Sequence, residues 1–510
     1  MPAGAHCVRF WLALSERSES KGPQNGSTCE RRHVSYIQFL GAAGTVTGSK
    51  HLINTNSDTS GKTGFQTLLD CGLFQGPKEW RLKNWQDPPL PAREIDALVL
   101  THAHLDHSGW IPRLVAEGYR GRVYATPATV DLCGILLPDS GYLQEEDAES
   151  HNKWKSSKHD PALPLYTLQQ ARDSLAQFSP VEFGKSVTLS PEISFRFVRS
   201  AHILGAAMTE VTIGVNGNKR LCLFTGDVGR VRNSEVAPGR VLHSGPTEGE
   251  SPDILIMEST YGNRSHPTDD PRPQLASLIR ETVKRGGSVV VPAFAVERTQ
   301  KFLFLLKELM EAQQIPRLPV FSDSPMGIEA VKLFLKHSEE FNEETRQLIQ
   351  KFGSPFQWDN FHFASTVADS RKINDSRYPC VIVSSNGMAM GGRIQHHLLQ
   401  RLPDPRNLIL FIGFQAVGTR GRQIKDGAPQ VKIFGQIVPV RAQVAALEQF
   451  SDHADAAEML EWLGTFTKQP QVTYLVHGEP DAAAALRQAI QQQLGWRVEI
   501  AQYMQQVELV

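Results

Sequence analysis

The apolar run EIDALVL (Glu94–Leu100) ends directly in THAHLDHSG (Thr101–Gly109), where three histidines and an aspartate fall within six positions. Few stretches restrict a fold more. Extended backbone turns His102 and His104 to one face. Asp106 and His107 follow where the chain bends into the helical WIPRLVAEG, so a second pair aims at a neighbouring point. A strand must therefore carry this segment to its end, and other loops must converge there. A catalytic zinc takes three protein ligands and keeps one position for water. Four ligand side chains at this spacing exceed that need and point to two adjacent metals, which can hold both sides of an in-line displacement. A single histidine here would read as a helix cap or a surface residue; the HxHxDH pattern does not.

The rest of the chain bounds the setting. Its 510 residues suggest about three domain-sized units. A net charge of −1 argues against nucleic-acid binding through overall positive charge and leaves room for a local basic patch. Cys7, Cys29, Cys71, Cys133, Cys222 and Cys380 are scattered without a CxxC pair, which fits a reducing compartment, and a cytoplasmic location is expected. No apolar run approaches the roughly 18 residues of a membrane span, so no membrane partner is expected. Residues 1–33 read as a disordered extension rather than a signal peptide, because Arg9 interrupts their apolar patch and no small-residue cleavage site follows.

From 34 to 252 the chain alternates short β-branched and aromatic runs with turns, among them YIQFLG, HLINT, FQTLLDCG, SFRFVRSAH, MTEVTIGV and RLCLFTGD. From 253 to 406 helices alternate with buried strands: PQLASLIRETVKRGG, SVVVPAF, RTQKFLFLLKELMEAQQ, LPVFSD and YPCVIVSSNGMAMGG. That alternation predicts an inserted α/β module with a parallel sheet. NLILFIG, VKIFGQIVPV and QVTYLVHGEP are expected to return the chain to the first domain over 407–510.

THAHLDH resembles the metal-binding signature of the metallo-β-lactamase superfamily, whose fold is a four-layered αββα sandwich. LIMESTYG, VPAFAVERTQ, SDSPMG, SSNGMAMGG and GFQAVGTRGR resemble the signature stretches of its β-CASP branch. Nucleases form that branch, including the endonuclease that cuts pre-mRNA 3′ ends and the bacterial ribonuclease J group. The resemblance covers Tyr36 to about Glu479 and implies a role for each matching residue. His102, His104 and His202 would hold one zinc, and Asp106, His107 and His477 the other, with Asp227 bridging them. Manganese suits the same ligands. Asp70 would orient a ligand or the bridging hydroxide. His453, paired with Glu258, would protonate the leaving oxygen. RNA-acting members carry histidine at the position of His477, where DNA-repair members typically carry valine. Single-stranded RNA is therefore the expected partner, and a homodimer is compatible with the sequence.

Basic and Gly-rich stretches suggest phosphate contacts. Arg420 and Arg422 lie in AVGTRGRQIK, Arg230 and Arg232 follow Asp227, and Ser384 and Ser385 open SSNGMAMGG. Solvated turns are the plain alternative for each. A zinc-dependent ribonuclease is the function expected. The competing readings are a thioester or lactam hydrolase of the same superfamily, a catalytically silent or partner-dependent scaffold, and an oxygen-activating di-iron protein. The first lacks the inserted module, inactive scaffolds have lost metal ligands that are all present here, and the last has no use for a general acid.

Overall fold

In the computed structural model, the described residues are 35–55, 64–86, 90–155, 157–215, 217–230, 251–267, 269–354, 356, 358–376, 378–413 and 415–509. The expected extension over 1–33, and Arg232, lie outside them.

Two seven-stranded sheets face each other. The first runs in the order Gln506–Glu508, Tyr36–Phe39, His51–Asn54, Gln66–Leu69, Ala97–Val99, Arg122–Ala125 and Phe178–Pro180. The second runs Val498–Ile500, Val472–Val476, Ile254–Glu258, Asn218–Phe224, Ala207–Val215, Ile193–Arg199 and Ser186–Ser190. Ile37, Phe39, Ile53, Leu69 and Val99 of the first sheet pack with Phe195, Val211, Phe224, Ile256 and Tyr474 of the second. The outer face of the first sheet packs on the helices Ile111–Ala116 and Pro127–Lys153 through Leu98, Val123, Ile111, Leu114 and Leu132. The outer face of the second packs on the helices Ala456–Leu463 and Pro480–Leu494 through Leu255, Leu475, Trp462 and Leu486. The result is the four-layered αββα sandwich. The helix Pro127–Lys153 starts sharply because Thr126 accepts a hydrogen bond from the Thr129 N–H and proline occupies the first turn.

A third, wholly parallel sheet has the order Phe361–Phe363, Val320–Ser322, Val381–Ser384, Val289–Pro292, Leu408–Phe411 and Gln443–Ala446. VVVP, VIVS and LILF are continuous apolar runs because helices cover both faces of this sheet. Strand pairing runs across residues 252 and 406. Ile254–Glu258 pairs with Asn218–Phe224 and Val472–Val476, so the sandwich continues past residue 252. Leu408–Phe411 pairs with Val289–Pro292, and Gln443–Ala446 pairs with Leu408–Phe411, so the inserted sheet continues past residue 406. A short apolar run looks the same whichever sheet it joins.

Parallel pairing positions the site. Gln66–Leu69 runs parallel to Ala97–Val99, and Ile254–Glu258 parallel to Val472–Val476. Their C-terminal ends therefore reach one edge together, where loops can converge. Among the described residues no helix is long and apolar enough to cross a membrane.

Candidate metal centre

The strand-end segments bring the ligand-type side chains into two neighbouring groups. His102 Nε2 lies 3.1 Å from His104 Nδ1, which lies 3.2 Å from His202 Nε2. His107 Nε2 lies 3.2 Å from His477 Nε2, and that atom is 3.4 Å from Asp106 Oδ2. Asp227 stands between the groups. Its Oδ2 is 3.4 Å from His102 Nε2 and 3.3 Å from His202 Nε2, while its Oδ1 is 3.2 Å from His107 Nε2. All of these groups are buried except the partly exposed His104 and Asp106.

Hydrogen bonds fix which nitrogen each ring turns inward. The Thr101 hydroxyl donates to Asp70 Oδ1 at 3.0 Å, so its oxygen accepts from His102 Nδ1–H at 3.1 Å. The Thr260 hydroxyl donates to the His477 carbonyl at 3.0 Å and accepts from His477 Nδ1–H at 3.1 Å. Asp70 Oδ2 accepts from His107 Nδ1–H at 2.7 Å. His102, His107 and His477 thus have Nδ1 engaged and turn Nε2 to the neighbouring ligand groups, the tautomer a metal ligand needs. Burial lowers the His107 pKa, but Asp227 and Asp70 outweigh it and hold the value well above the ordinary one. Burial holds His104 neutral, with its pKa lowered to about 3, and burial beside His453 holds His202 well below the ordinary value. Thr101 and Thr260 escape a reading of the sequence; their signal is position alone, directly before His102 and two residues after Glu258.

Bare nitrogens facing one another at these distances repel unless something positive lies between them. A tetrahedral centre with bonds of about 2.0–2.1 Å sets its ligand atoms roughly 3.3 Å apart. Asp227 Oδ1, buried and turned to the second nitrogen group, also lacks a hydrogen-bond partner among the described residues. The donor set fits divalent metal.

Backbone at the rim is tightly held. Asp70, Ala201 and His477 have φ of 57°, 59° and 47°, conformations that cost energy and that the surrounding packing must enforce. Gly72 is required by close approach: a Cβ there would lie 1.6 Å from the Asp106 carbonyl oxygen. Gly229 likewise passes the backbone of Ala201, where a Cβ would meet the carbonyl oxygen at 2.1 Å.

Beside the metal-type cluster, His453 Nδ1 contacts both Glu258 oxygens at 3.1 and 3.0 Å, and its Nε2 lies 4.0 Å from Asp227 Oδ2. Glu258 is fully buried and also accepts the Val228 N–H, just beyond Asp227. Burial lowers the His453 pKa, but Glu258 and Asp227 outweigh it and push the value up to about 9. Behind His453, Asp452 is buried against Lys301 and the Arg298 guanidinium, the latter at 3.2 Å. Arg298 and Lys301 come from the helix Arg298–Glu311 of the inserted unit, so this ion cluster ties that unit to the His453 loop.

A cleft of about 1700 Å³ opens over the cluster, and His104, Asp106, Asp227, His453 and His477 line it. Of the expected phosphate contacts, Ser385 lines the cleft. Four of the others have partners within the protein. Ser384 is buried and donates to the Asp323 carbonyl at 3.0 Å. Arg420 reaches the Lys432 carbonyl at 2.9 Å and Gln395 at 2.8 Å, and Arg422 pairs with Asp426 at 2.6 Å. Arg230 pairs with Glu458 at 2.7 Å. The basic side chains that do line the cleft include Lys78, Arg81, Arg298 and Arg393. Sequence reveals a charge but not whether a neighbouring carboxylate or carbonyl already claims it.

The sequence matches three families: the metallo-beta-lactamase superfamily over residues 63–131, the Beta-Casp domain over 299–424, and the Zn-dependent metallo-hydrolase RNA specificity domain over 437–501. It is 35% identical over 448 residues to ribonuclease TTHA0252 of Thermus thermophilus, covering 88% of this chain and 94% of that protein. It is 31% identical over 452 residues to the transcription termination factor FttA of Methanocaldococcus jannaschii, covering 87% of this chain and 67% of FttA. A crystal structure of an Enterococcus faecalis protein of unknown function shares the fold, with a TM-score of 0.52 at 14% identity over 93% of this chain and all of that one. With its sandwich, its inserted parallel sheet and these relatives, the chain belongs to the β-CASP branch of the metallo-β-lactamase superfamily.

Proposed function

We propose that the protein is a zinc-dependent ribonuclease that hydrolyses phosphodiester bonds of single-stranded RNA, with His453 as general acid. The observation that carries this reading is Asp227, whose two oxygens face separate nitrogen groups while His453 stands alongside with Nε2 turned towards it. His102, His104 and His202 would hold one metal, Asp106, His107 and His477 the other, and Asp227 would bridge them. Bound there, divalent metal would supply a nucleophilic hydroxide near neutral pH and neutralise charge on the phosphate.

The chain's own residues do the rest. Asp70, Thr101 and Thr260 keep the ring nitrogens turned inward. Glu258 holds His453 by Nδ1, so Nε2 carries the proton for the departing oxygen. The name of the Thermus thermophilus relative and the RNA specificity match support RNA as substrate. The test is cleavage of matched, end-labelled single-stranded RNA and DNA by zinc-loaded protein, with Asp106→Asn as control. RNA-selective cleavage that the variant loses is expected. Equal cleavage by the variant, or no cleavage of RNA by the wild type, would overturn the reading.

A further inference from the structure

The cleft contains an apolar feature that the hydrolytic cluster does not use. Gln430–Ile433 and Gln436–Pro439 form an antiparallel hairpin in which Ile433 faces Gln436, leaving Phe434 and Gly435 as a two-residue turn. Both have positive φ, 48° and 79°. Such a turn ordinarily takes Asn, Asp or Gly first, because a Cβ crowds the backbone there. Here a phenylalanine occupies it and stays 49% exposed. Its backbone is strained and its ring, half exposed, returns little to the core.

The ring is nevertheless fixed. His396, exposed on the helix Ile394–Arg401, lies beneath it with ring centroids 4.6 Å apart and planes tilted by 34°. Arg420 fastens the two elements together, donating to the Lys432 carbonyl on the hairpin and to Gln395 on the helix. Phe434, His396 and the exposed Met390 all line the cleft that holds His453 and Asp227.

We infer that Phe434, backed by His396, is a stacking platform for one nucleobase of the single-stranded substrate, and that Arg420 is the residue that positions it. The inference rests on the ribonuclease reading. A flat ring at the cleft wall suits any base, since every base has a π-face, and it requires an unpaired one. The platform would thus select single strands without selecting sequence.

The experiment is steady-state cleavage of a 20-nucleotide RNA by Phe434→Ala, Phe434→Trp and the wild type. It is repeated on a set of RNAs in which one nucleotide at a time is abasic. Loss of one stacked base is worth about a tenfold rise in KM. Phe434→Ala is expected to show that rise, Phe434→Trp to restore the wild-type value, and one abasic position to reproduce the rise in the wild type while adding nothing in Phe434→Ala. The abasic series on the wild type needs no variant to fold. An unchanged KM in Phe434→Ala, or abasic effects that add fully to it, would overturn the platform while leaving the ribonuclease reading intact. A wild type that cleaves no RNA would overturn both. If Phe434→Ala instead changes the molecular mass in light scattering with KM unchanged, the hairpin tip is a contact between copies of the chain and the inference fails.

Discussion

Replacing Glu258 by glutamine separates proton donation from metal binding. The buried carboxylate accepts from two donors, the Val228 N–H and His453 Nδ1–H. Glutamine offers one oxygen and one NH2, so one of these contacts becomes donor against donor with no water to relieve it. Losing the charge-assisted bond to His453 removes about 1.5–3 kcal/mol of support for the imidazolium, or roughly one to two pKa units. His453, its pKa down from about 9 to roughly 7–8, still holds a proton at neutral pH, but the donor-against-donor contact turns Nε2 out of line with the leaving oxygen. A general acid contributes about 10²–10⁴ in rate, or about 3–5 kcal/mol of barrier. Single-turnover cleavage of RNA by Glu258→Gln should therefore fall at least about 100-fold. Bis(p-nitrophenyl) phosphate, whose nitrophenolate departs unprotonated, should lose less than about tenfold. Metal content, measured by plasma mass spectrometry, should not change. Equal losses on both substrates, or lost metal, would refute the assignment of His453 and Glu258.

Three further outcomes are expected. His202→Ala should lower metal content by roughly one ion per chain, whereas Asp227→Ala, which removes the group facing both nitrogen sets, should lower it further; equilibrium dialysis reads both. Gly72→Ala drives a Cβ into the Asp106 backbone and should cost about 3 kcal/mol in denaturant unfolding, with metal affinity falling alongside. Asp139 has its pKa raised to about 6 by burial and by Glu146. Its stabilising protonated form is complete below the unfolded value near 4 and is lost as pH rises through about 6. Asp139→Asn should accordingly exceed the wild type in stability by on the order of 2 kcal/mol above pH 6, with the gap closing below pH 4. A constant gap across thermal melts from pH 4 to 8 would contradict this.

The ligand-type residues were legible because ligand chemistry and strand ends coincide in the sequence: HxHxDH after EIDALVL, Asp227 after RLCLFTG, His477 after QVTYLV. The residues that orient them were not. A lone threonine carries no pattern, and Thr101 and Thr260 matter only because folding places their hydroxyls between a donor and an acceptor. Arg420 and Arg422 show the opposite case. Their charges were visible, whereas Gln395, the Lys432 carbonyl and Asp426 as partners were not. Sheet membership was equally hidden, since LILF reads as a strand without saying whose neighbour it is.

The contact between His107 and His477 joins residues 370 apart in the chain. A ribosome adding about 5–20 residues per second needs roughly 20–75 s to pass from one to the other. Once residue 227 has been added the growing polypeptide has His102, His104, Asp106, His107, His202 and Asp227, and it lacks both His453 and His477 for the next 225 residues. On the proposed assignment it therefore lacks one of the seven metal ligands and the general acid. A ribonuclease is tethered during its own synthesis to the message that encodes it. On the proposed assignment, the late arrival of His453 and His477 would keep it from cutting that message until residue 477 has been added.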